Sequence, residues 1–503
     1  MKIPFILALA AMALAPAAAA DRLVILHTND THSRILPDET DGLGGVARRK
    51  VLVDSVRAAE DHVILVDAGD AVQGTLFFNL YGGEVEQRLM NALDYDLRIL
   101  GNHEFDNGTD SLARILRYAD AEFLSTNYDL SDSPLEGKFH KYAIREVEDR
   151  KIGFIALNLR PEGIIAPGNY DGVEYLDAIE AANAAAWWLK HVEGCDMVVA
   201  LTHIGYDPGI SPSDVDVARQ TSDIDIIIGG HSHDLIAPGD PSKPCLIPNR
   251  EGRDVLVAQT GKGGKVLGEI TIDLDDLTSS YRLIPVDSRL DSRSDGSVEA
   301  LLKPYRAGVD SLMERGVGRT AVELPQASDA LLNFCTDFIL TRGRELAPDV
   351  DFAMLNRGGI RRGLPKGKIT EGEIITMLPF NNRVQVIDIK GSDILSALLQ
   401  MARIGGSGVS DGVRVTYEPW TKEKDAALVS VTVDGRPLDP DRTYRVATID
   451  YMANGGDYMP TLANHTQVAS SPEEVYKDLI AYLEGHPKLR INPSPERRMN
   501  PVR

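Results

Sequence analysis

Cysteine is scarce in this 503-residue chain, which contains only Cys195, Cys245 and Cys335. An odd number leaves at least one thiol without a partner inside the chain, and none of the three belongs to a CxxC or CxH motif. The pattern argues against soft-metal chemistry, and we expect the thiols to be buried as small apolar side chains. A Cys195–Cys245 bridge stays open as an alternative in an oxidising compartment.

Basic residues are also few relative to acidic ones. Lysine and arginine number 53 against 75 aspartates and glutamates, which gives a net charge of −22. This charge argues against non-specific binding to nucleic acid or to an anionic membrane surface. An anionic substrate would therefore require bound metals and local arginines that reverse the electrostatic field at the site.

Long apolar runs are absent beyond the N-terminus. There, Lys2 gives a positive start, Ile3–Leu14 an apolar core and Ala18–Ala20 a cleavage motif ahead of Asp21. The core is shorter than the ~20 residues that span a bilayer, so residues 1–20 predict a cleaved signal peptide. We expect a periplasmic or secreted protein without stable membrane insertion, and the periplasm is favoured.

Short β-branched apolar runs alternate with helical patterns in the first part of the chain. This alternation predicts an α/β domain, residues 21–296, with helices outside a sheet. Some strands are expected to pair antiparallel, so an all-parallel sheet is not predicted. The predicted strands are Leu23–Leu26, Val63–Val66, Arg98–Leu100, Phe123–Ser125, Ile152–Leu157, Met197–Leu201, Ile224–Ile228 and Val255–Ala258. The predicted helices are Gly45–Ala59, Glu84–Leu93 and Ala178–His191.

A linker, residues 297–318, is predicted to join this domain to a second one. It contains a helical pattern over Ser297–Arg315 that continues through Pro304. A smaller α/β domain, residues 319–503, is expected to follow. Its predicted elements are helices near Asp329–Arg344 and Glu473–Leu483 and strands near Phe352–Leu355, Val384–Ile389 and Arg445–Thr448.

Carboxylate, amide and imidazole side chains recur directly after the apolar runs of the first domain. In open α/β sheets, ligands gather beyond the carboxyl ends of strands, so residues far apart in sequence meet there. A single Asp-x-His motif is usually an ordinary loop, but several such motifs in order indicate a two-metal hydrolase. The candidate metal ligands are Asp30, His32, Asp70, Asn102, His203, His231 and His233.

The types of these ligands define the chemistry of the predicted metal pair. The carboxylate of Asp70 can bridge two cations, and the small Gly69 before it lets backbone and metal approach closely. Mixed nitrogen and oxygen ligation suits Zn²⁺ or Mn²⁺, with Co²⁺ also accepted. Two divalent ions facing two carboxylates, one amide and four imidazoles leave a positive site that suits a phosphate.

The motifs DxH, GD, GNHE, TH and GHxH, in this order, resemble those of the metallophosphoesterase superfamily. More narrowly, the segment Gly69–Asn107, which begins GDAVQGT, resembles the secreted 5′-nucleotidases. The resemblance covers essentially the whole mature chain. It implies a four-layer sandwich domain, a smaller α/β substrate-binding domain and hydrolysis by a metal-activated water.

The resemblance assigns a role to each candidate residue of the first domain. His103 would stabilise the phosphoryl group in the transition state, and Asp106 would orient it. Relatives that act on cyclic nucleotides often carry Asn at the position of Asp106, so Asp favours the 5′-nucleotidase branch. The first metal would be held by Asp30, His32, Asp70 and His233, and the second by Asp70, Asn102, His203 and His231.

Three motifs of the second domain match the same family: NRGGIR at 356–361, LPFNN at 378–382 and YMANGGD at 451–457. By resemblance, Phe380 and Tyr451 would sandwich a nucleobase, Asn382 would contact it, and Asp457 would bind the ribose hydroxyls. Asn356 begins the first motif, whose Arg361 can fork onto a phosphate. Arg342 or Arg344 is a candidate for one further phosphate contact.

These features predict an exported, metal-dependent 5′-nucleotidase that converts nucleoside 5′-monophosphates into nucleoside and phosphate for scavenging. Alternatives within the family are a pyrophosphatase acting on UDP-sugars or dinucleotides and a 2′,3′-cyclic-nucleotide phosphodiesterase. A non-catalytic nucleotide-binding surface module is the alternative from another class. Because the substrate must bridge both domains, we expect rotation about a hinge near Arg315–Arg319. The sequence leaves the oligomeric state open.

Overall fold

The structure is a computed structural model that describes residues 21–207, 212–421 and 424–502. The predicted signal peptide, residues 1–20, lies outside these described residues. Within them, no helix combines the length and the apolar character that crossing a membrane requires.

The first half of the chain alternates strands with helices. Its strands are β1 Arg22–Thr28, β2 His62–Asp67, β3 Leu97–Arg98, β4 Glu122–Phe123, β5 Tyr128–Asp129, β6 Tyr142–Val147, β7 Arg150–Asn158, β8 Glu174–Tyr175, β9 Met197–His203, β10 Ile226–Ile228, β11 Leu246–Pro248, β12 Asp254–Ala258, β13 Val266–Asp273 and β14 Ser279–Pro285. Its helices are α1 Val46–Arg57, α2 Leu76–Tyr81, α3 Glu84–Leu93, α4 Gly108–Ile115, α5 Ala178–His191 and α6 Asp214–Gln220. The three predicted helices are confirmed as α1, α3 and α5.

Both large sheets of this half are mixed, in agreement with the expectation of some antiparallel pairing. The first has the order β14-β13-β1-β2-β3-β4, in which β1 to β4 are parallel and β13 is antiparallel to both neighbours. The second has the order β11-β12-β10-β9-β7-β6, with parallel pairing from β12 to β7 and antiparallel strands at both edges. The parallel strands of each sheet therefore end at a common edge.

The alternation of side chains along β1 explains how the layers form. Leu23 and Ile25 are buried in a core shared with Phe154 of the second sheet. Val24 and Leu26 are buried in a different core, together with residues of α1 and α3. A third core packs α5 and α6 on the far face of the second sheet. The order helix, sheet, sheet, helix confirms the predicted four-layer sandwich.

Helix α7, Ser297–Glu314, connects the two halves and contains Pro304 in its interior. A proline there removes a main-chain hydrogen bond and costs about 3 kcal/mol. Val298 and Leu302 of this helix are buried with α1 and α3, and burying each such side chain contributes roughly 1.5–3 kcal/mol. Packing against the first half therefore offsets the cost of the proline.

The second half is a smaller α/β unit around one core. Its strands are β15 Gly316–Thr320, β16 Phe352–Leu355, β17 Gly367–Thr370, β18 Arg383–Lys390, β19 Gly408–Val409, β20 Val413–Glu418, β21 Ala427–Val433, β22 Arg436–Pro437, β23 Thr443–Ile449, β24 Thr466–Glu474 and β25 Met499–Pro501. Its helices are α8 Asp329–Leu346, α9 Glu371–Met377, α10 Gly391–Arg403, α11 Asp450–Ala453 and α12 Val475–Gly485. The sheet orders are β19-β16-β23-β18-β24, β22-β21-β20-β25 and β15-β17.

All three cysteines are free thiols. Cys195 and Cys335 are buried, which confirms the expectation for these two, and Cys245 is partly buried against two of the cores. The alternative of a Cys195–Cys245 bridge is not realised.

Candidate active site

The candidate metal ligands all lie at one edge of the paired sheets, beyond the carboxyl ends of parallel strands. Loops from both sheets meet at this edge because neighbouring parallel strands end together. Asp30 and His32 follow β1, Asp70 follows β2, Asn102 follows β3, His203 ends β9, and His231 and His233 follow β10.

Asp30, His32 and His233 form a first group of side chains, and Asp30, Asp70 and His203 form a second, with the ligand atoms of each group within 4.8 Å of one another. Asp70 connects the two, because it also forms such a group with His32 and His103. Oδ2 of Asp70 is 3.2 Å from Nε2 of His203 and 3.9 Å from Nε2 of His32. This position suits a carboxylate that faces two cations at once.

Asn102 and His231 extend the second group. Nδ1 of His231 lies 2.9 Å from Oδ1 of Asn102, and its ring meets that of His203 edge-on with 5.3 Å between centroids. All the predicted metal ligands therefore belong to one continuous cluster.

The backbone at this cluster is strained. Asp30, His32, Asp70, His231 and His233 all have a positive φ, between 47° and 78°. Left-handed backbone costs a residue other than glycine roughly 1–3 kcal/mol, and such strain concentrates at functional sites. Here it reverses the loops directly after the strands, so that their side chains converge.

Two glycines of the motifs are required because there is no space for a side chain. A Cβ atom added at Gly101 would lie 2.2 Å from Oδ1 of Asp70, and one at Gly230 would lie 2.8 Å from Nδ1 of His203. Any larger residue at either position would displace a candidate ligand.

The tautomer of His203 leaves a lone pair for a cation. Nδ1 of its ring donates to the carbonyl oxygen of Ala68 at 2.7 Å, which directs the lone pair to Nε2. Among the described residues, this buried Nε2 atom makes no hydrogen bond of regular geometry, and its nearest carboxylate oxygen is Oδ2 of Asp70 at 3.2 Å. A donor set of imidazole, carboxylate and amide atoms fits a divalent ion at this position.

The carboxylates create a field that attracts positive charge to the same place. Burial lowers the pKa of His203, but Asp70 and Asp30 raise it overall to about 10, which shows how strongly the two carboxylates favour positive charge here. Burial also raises the pKa of Asp30 to about 7. An ionised carboxylate this deeply buried is costly unless a cation faces it.

Glu104 connects two ligand loops, and the sequence did not identify it as a site residue. Its buried carboxylate accepts hydrogen bonds from the main-chain N–H groups of Asp70 at 3.1 Å, Ala71 at 2.9 Å and Gly101 at 2.5 Å. The loops after β2 and β3 are thereby fixed to each other. Its place in the GNHE motif was visible, but its main-chain partners exist only in the fold.

His103 lies between the two halves of the chain. Its Nδ1 atom is 3.0 Å from Oδ2 of Asp106, and its Nε2 atom is 3.0 Å from a guanidinium nitrogen of Arg361. Its ring stacks on Phe380 with 5.9 Å between centroids. Burial lowers the pKa of His103, but Asp106 and Asp70 raise it above its ordinary value. His103 of the predicted catalytic pair is thus in direct contact with two predicted substrate residues.

A cavity of about 440 Å³ opens beside His103 and is lined by both halves. All the predicted substrate-binding residues line it: Asn356, Arg361, Phe380, Asn382, Tyr451 and Asp457.

Three of these residues form a hydrogen-bonded group at one wall of the cavity. The carboxylate of Asp457 accepts from the hydroxyl of Tyr451 at 2.8 Å and from Nδ2 of Asn356 at 2.9 Å. Since Asp457 is fixed by both partners, its carboxylate is held in place without a ligand.

The two halves are closed against each other around this cavity. Nδ2 of Asn381 donates to Oδ1 of Asn107 at 2.8 Å, and Nδ2 of Asn79 donates to the carbonyl oxygen of Pro379 at 2.7 Å. Both bonds join the LPFNN loop of the second half to the first half.

The candidates for a further phosphate contact, Arg342 and Arg344, are wrong. Arg342 is bonded to Glu345 at 2.9 Å and Asp478 at 3.1 Å, and Arg344 donates to the carbonyl oxygen of Val350. Neither arginine lines the cavity.

Two family models match the chain. The model for the calcineurin-like phosphoesterases matches residues 23–235, and that for the 5′-nucleotidase C-terminal domain matches residues 313–464. The sandwich fold and its cluster of candidate ligands therefore define a calcineurin-like phosphoesterase that hydrolyses phosphoric monoesters and uses divalent metal ions.

Comparison with individual proteins narrows this class. The chain is 30% identical to the apyrase of Tabanus yao, over 92% of this chain and 91% of the relative, and 29% identical to the human 5′-nucleotidase, over 88% and 84%. A 5′-nucleotidase precursor from Thermus thermophilus superposes with a TM-score of 0.84 at 31% identity, over 96% of this chain and 99% of that one. The chain belongs to the 5′-nucleotidase family.

Proposed function

We propose that the protein is an exported 5′-nucleotidase that hydrolyses nucleoside 5′-monophosphates to nucleoside and phosphate for nucleotide scavenging. The main support for this proposal is the contact between Arg361 and His103. It joins the metal-ligand cluster of the first half to the cavity lined by both halves. One ligand can therefore place its phosphate at the cluster and its nucleoside in the cavity. Residues 1–20, with the pattern of a signal peptide, support export.

The ligand cluster suits two divalent ions, Zn²⁺ or Mn²⁺, with Co²⁺ also accepted. Asp30, His32, Asp70 and His233 are proposed to hold one ion, and Asp70, Asn102, His203 and His231 the other. When bound, such ions supply Lewis-acid stabilisation of phosphoryl oxygens and lower the pKa of a water molecule.

The chain's own residues stabilise the charge that develops on the phosphoryl group. His103 donates a hydrogen bond to a phosphoryl oxygen, and Asp106 at 3.0 Å fixes the orientation of its ring. Arg361 lies beside it, since its guanidinium is 3.0 Å from Nε2 of His103. A phosphoryl oxygen that enters between the two groups can accept from both, and this needs little rearrangement during the reaction.

The nucleoside is proposed to bind in the cavity of about 440 Å³. Phe380 and Tyr451 sandwich the base, and Asn382 contacts its edge. Asp457 binds the ribose hydroxyls with the carboxylate that Tyr451 and Asn356 hold in place.

Replacing Phe380 with alanine tests the stacking role. We expect the KM for AMP to rise about tenfold, since stacking on an aromatic side chain contributes roughly 1–3 kcal/mol per base. Phe380→Tyr retains an aromatic ring and serves as the matched control, with a KM close to that of the wild type. Steady-state kinetics on both variants measure the effect, and an unchanged KM in Phe380→Ala would remove this residue from the binding site.

A phosphate-release panel tests the proposed function as a whole. The substrates are AMP, UMP, ADP, UDP-glucose, NAD and 2′,3′-cyclic AMP, each with and without a chelator. We expect AMP and UMP to be hydrolysed fastest and the chelator to suppress release, with recovery on addition of Zn²⁺, Mn²⁺ or Co²⁺. Preference for UDP-glucose, NAD or the cyclic nucleotide would favour the alternatives within the family, and nucleotide binding without release would favour a non-catalytic module.

A further inference from the structure

A second cavity, of about 230 Å³, adjoins the metal-ligand cluster. It borders His32 and His233, whereas the proposed nucleoside cavity borders Asn102, His103 and His231. Among the described residues, Arg361 alone lines both cavities. A ligand in the second cavity therefore meets other members of the cluster than a ligand in the first.

The charged side chains around this second cavity are mostly cationic. Among the described residues they are Arg34, Lys262, Lys265 and Arg361, against the carboxylate of Asp38. No Phe, Tyr or Trp is among the described residues that line it, so it offers no stacking surface for a base. Its chemistry favours a small anion.

Much of this positive charge has no partner in the protein. Lys265 is paired, since it contacts Asp38 at 3.1 Å and Asp41 at 2.7 Å. The side chains of Arg34 and Lys262, in contrast, form no hydrogen bond or ion pair with any described residue. Among the described residues, the side chain of Arg361 makes one hydrogen bond, to His103, and its buried Nε atom has no partner.

The unpaired cations also repel one another. Partial burial at the cavity wall lowers the pKa of Lys262, and the positive charges of Arg361 and Arg34 lower it further. Burial likewise lowers the pKa of Arg34, although Asp38 opposes the effect. Charges of one sign that converge on a cavity are stabilised when an anion binds between them.

The main chain fixes Lys262 next to the cluster. The N–H group of Gly263 donates to the carbonyl oxygen of Asp30 at 2.7 Å, which joins this loop to the first ligand loop. Gly263 itself has a φ of 74°, a conformation that glycine adopts without strain. The position of Lys262 is therefore set by the same backbone that positions a proposed metal ligand.

We propose that this second cavity is an anion subsite for a phosphate other than the one at the metal ligands. Its ligand is the distal phosphate of a nucleoside diphosphate or free inorganic phosphate. Lys262 and Arg34 bind it from the first half and Arg361 from the second. The inference rests on the proposed function, which places the first phosphate at the metal ligands.

Replacing Lys262 with glutamine tests the subsite with little risk to folding, because this side chain is exposed. The dissociation constant of an ADP analogue with a methylene bridge between its phosphorus atoms is measured by calorimetry on the full-length protein. The KM for AMP and the inhibition constant of inorganic phosphate are measured in parallel. In Lys262→Gln we expect one of two ratios to fall about tenfold: the affinity for the diphosphate relative to AMP, or the affinity for inorganic phosphate relative to AMP. A loss of about tenfold corresponds to one charge-assisted hydrogen bond.

Two further variants control for charge and position. Lys262→Arg keeps the charge and is expected to restore most of the affinity. Lys138→Gln removes an exposed lysine that lines neither cavity, and we expect all three constants to stay unchanged.

The possible outcomes distinguish the two sources of the anion, and they include results that would overturn the proposal. A loss confined to the diphosphate assigns the subsite to a substrate, and a loss confined to inorganic phosphate assigns it to the product. Equal loss for AMP and the diphosphate overturns the proposal, because Lys262 would then bind the reacting phosphate itself. No change in any constant overturns it as well. If the wild type released no phosphate from AMP, the proposed function would fail, while calorimetry with the diphosphate analogue would still report on the subsite.

Discussion

Replacing Asp70 with asparagine is expected to lower kcat by a factor of about 10³ or more and to reduce the content of bound metal. The reason is the position of its carboxylate, whose Oδ2 atom lies 3.2 Å from His203 and 3.9 Å from His32. An amide there is neutral and offers one acceptor oxygen, so it does not balance the charge of two cations. Elemental analysis and steady-state kinetics measure the two effects.

Asp94→Asn is a matched control for this change. Asp94 is exposed and has a φ of 58°, close to the 55° of Asp70, so both substitutions place asparagine in the same backbone conformation. We expect Asp94→Asn to retain full activity. The thermal midpoint gives a second readout, because metal that binds only the folded state raises it. Addition of Zn²⁺ should raise the midpoint of the wild type more than that of Asp70→Asn. Full metal content and activity in Asp70→Asn would refute the bridging role.

His103→Ala is expected to lower kcat by a factor on the order of 10² or more while metal content stays unchanged, as for loss of one preorganised donor. His103 faces Arg361 through Nε2 and Asp106 through Nδ1. Its removal deletes a donor at the point where the phosphoryl group is proposed to lie. The proposed metal ligands remain, so elemental analysis separates this effect from loss of metal.

Asp106→Asn and His140→Ala complete this experiment. Asp106→Asn keeps the ring of His103 but weakens its orientation, so we expect a smaller loss of kcat than in His103→Ala. His140 is exposed and is the matched control for removal of an imidazole, with no expected effect. If His103→Ala retained the wild-type rate, His103 would have no part in the chemistry.

The strands that build the ligand edge were predictable, and several of their neighbours were not. The segments of β1, β2 and β9 are nearly continuous apolar runs, because both faces of each strand are buried between layers. Strand β14 escaped prediction because its residues are exposed or only partly buried, so its sequence has no clear apolar run. Its place is fixed by antiparallel pairing with β13, which depends on contacts distant in sequence.

The candidate site likewise contains residues that were predictable from the sequence and residues that were not. Its metal ligands, together with His103 and Phe380, were identifiable because each belongs to a short motif with a chemical reason for its composition. Glu104 and Arg34 also lie within or beside such motifs, but their roles depend on what faces them. Arg342 and Arg344 carry the right charge for a phosphate, yet the fold pairs them with other groups.

The layered α/β fold of the first half, the set of metal-ligand candidates and the family follow from the amino-acid sequence alone. These features are local, since they depend on the order of the apolar runs and on the residues that follow each run. The folded chain, in contrast, sets which cations stay unpaired, the contact of Arg361 with His103, and the two cavities that border different ligands. Such properties depend on distances between residues far apart in sequence, and packing alone sets those distances.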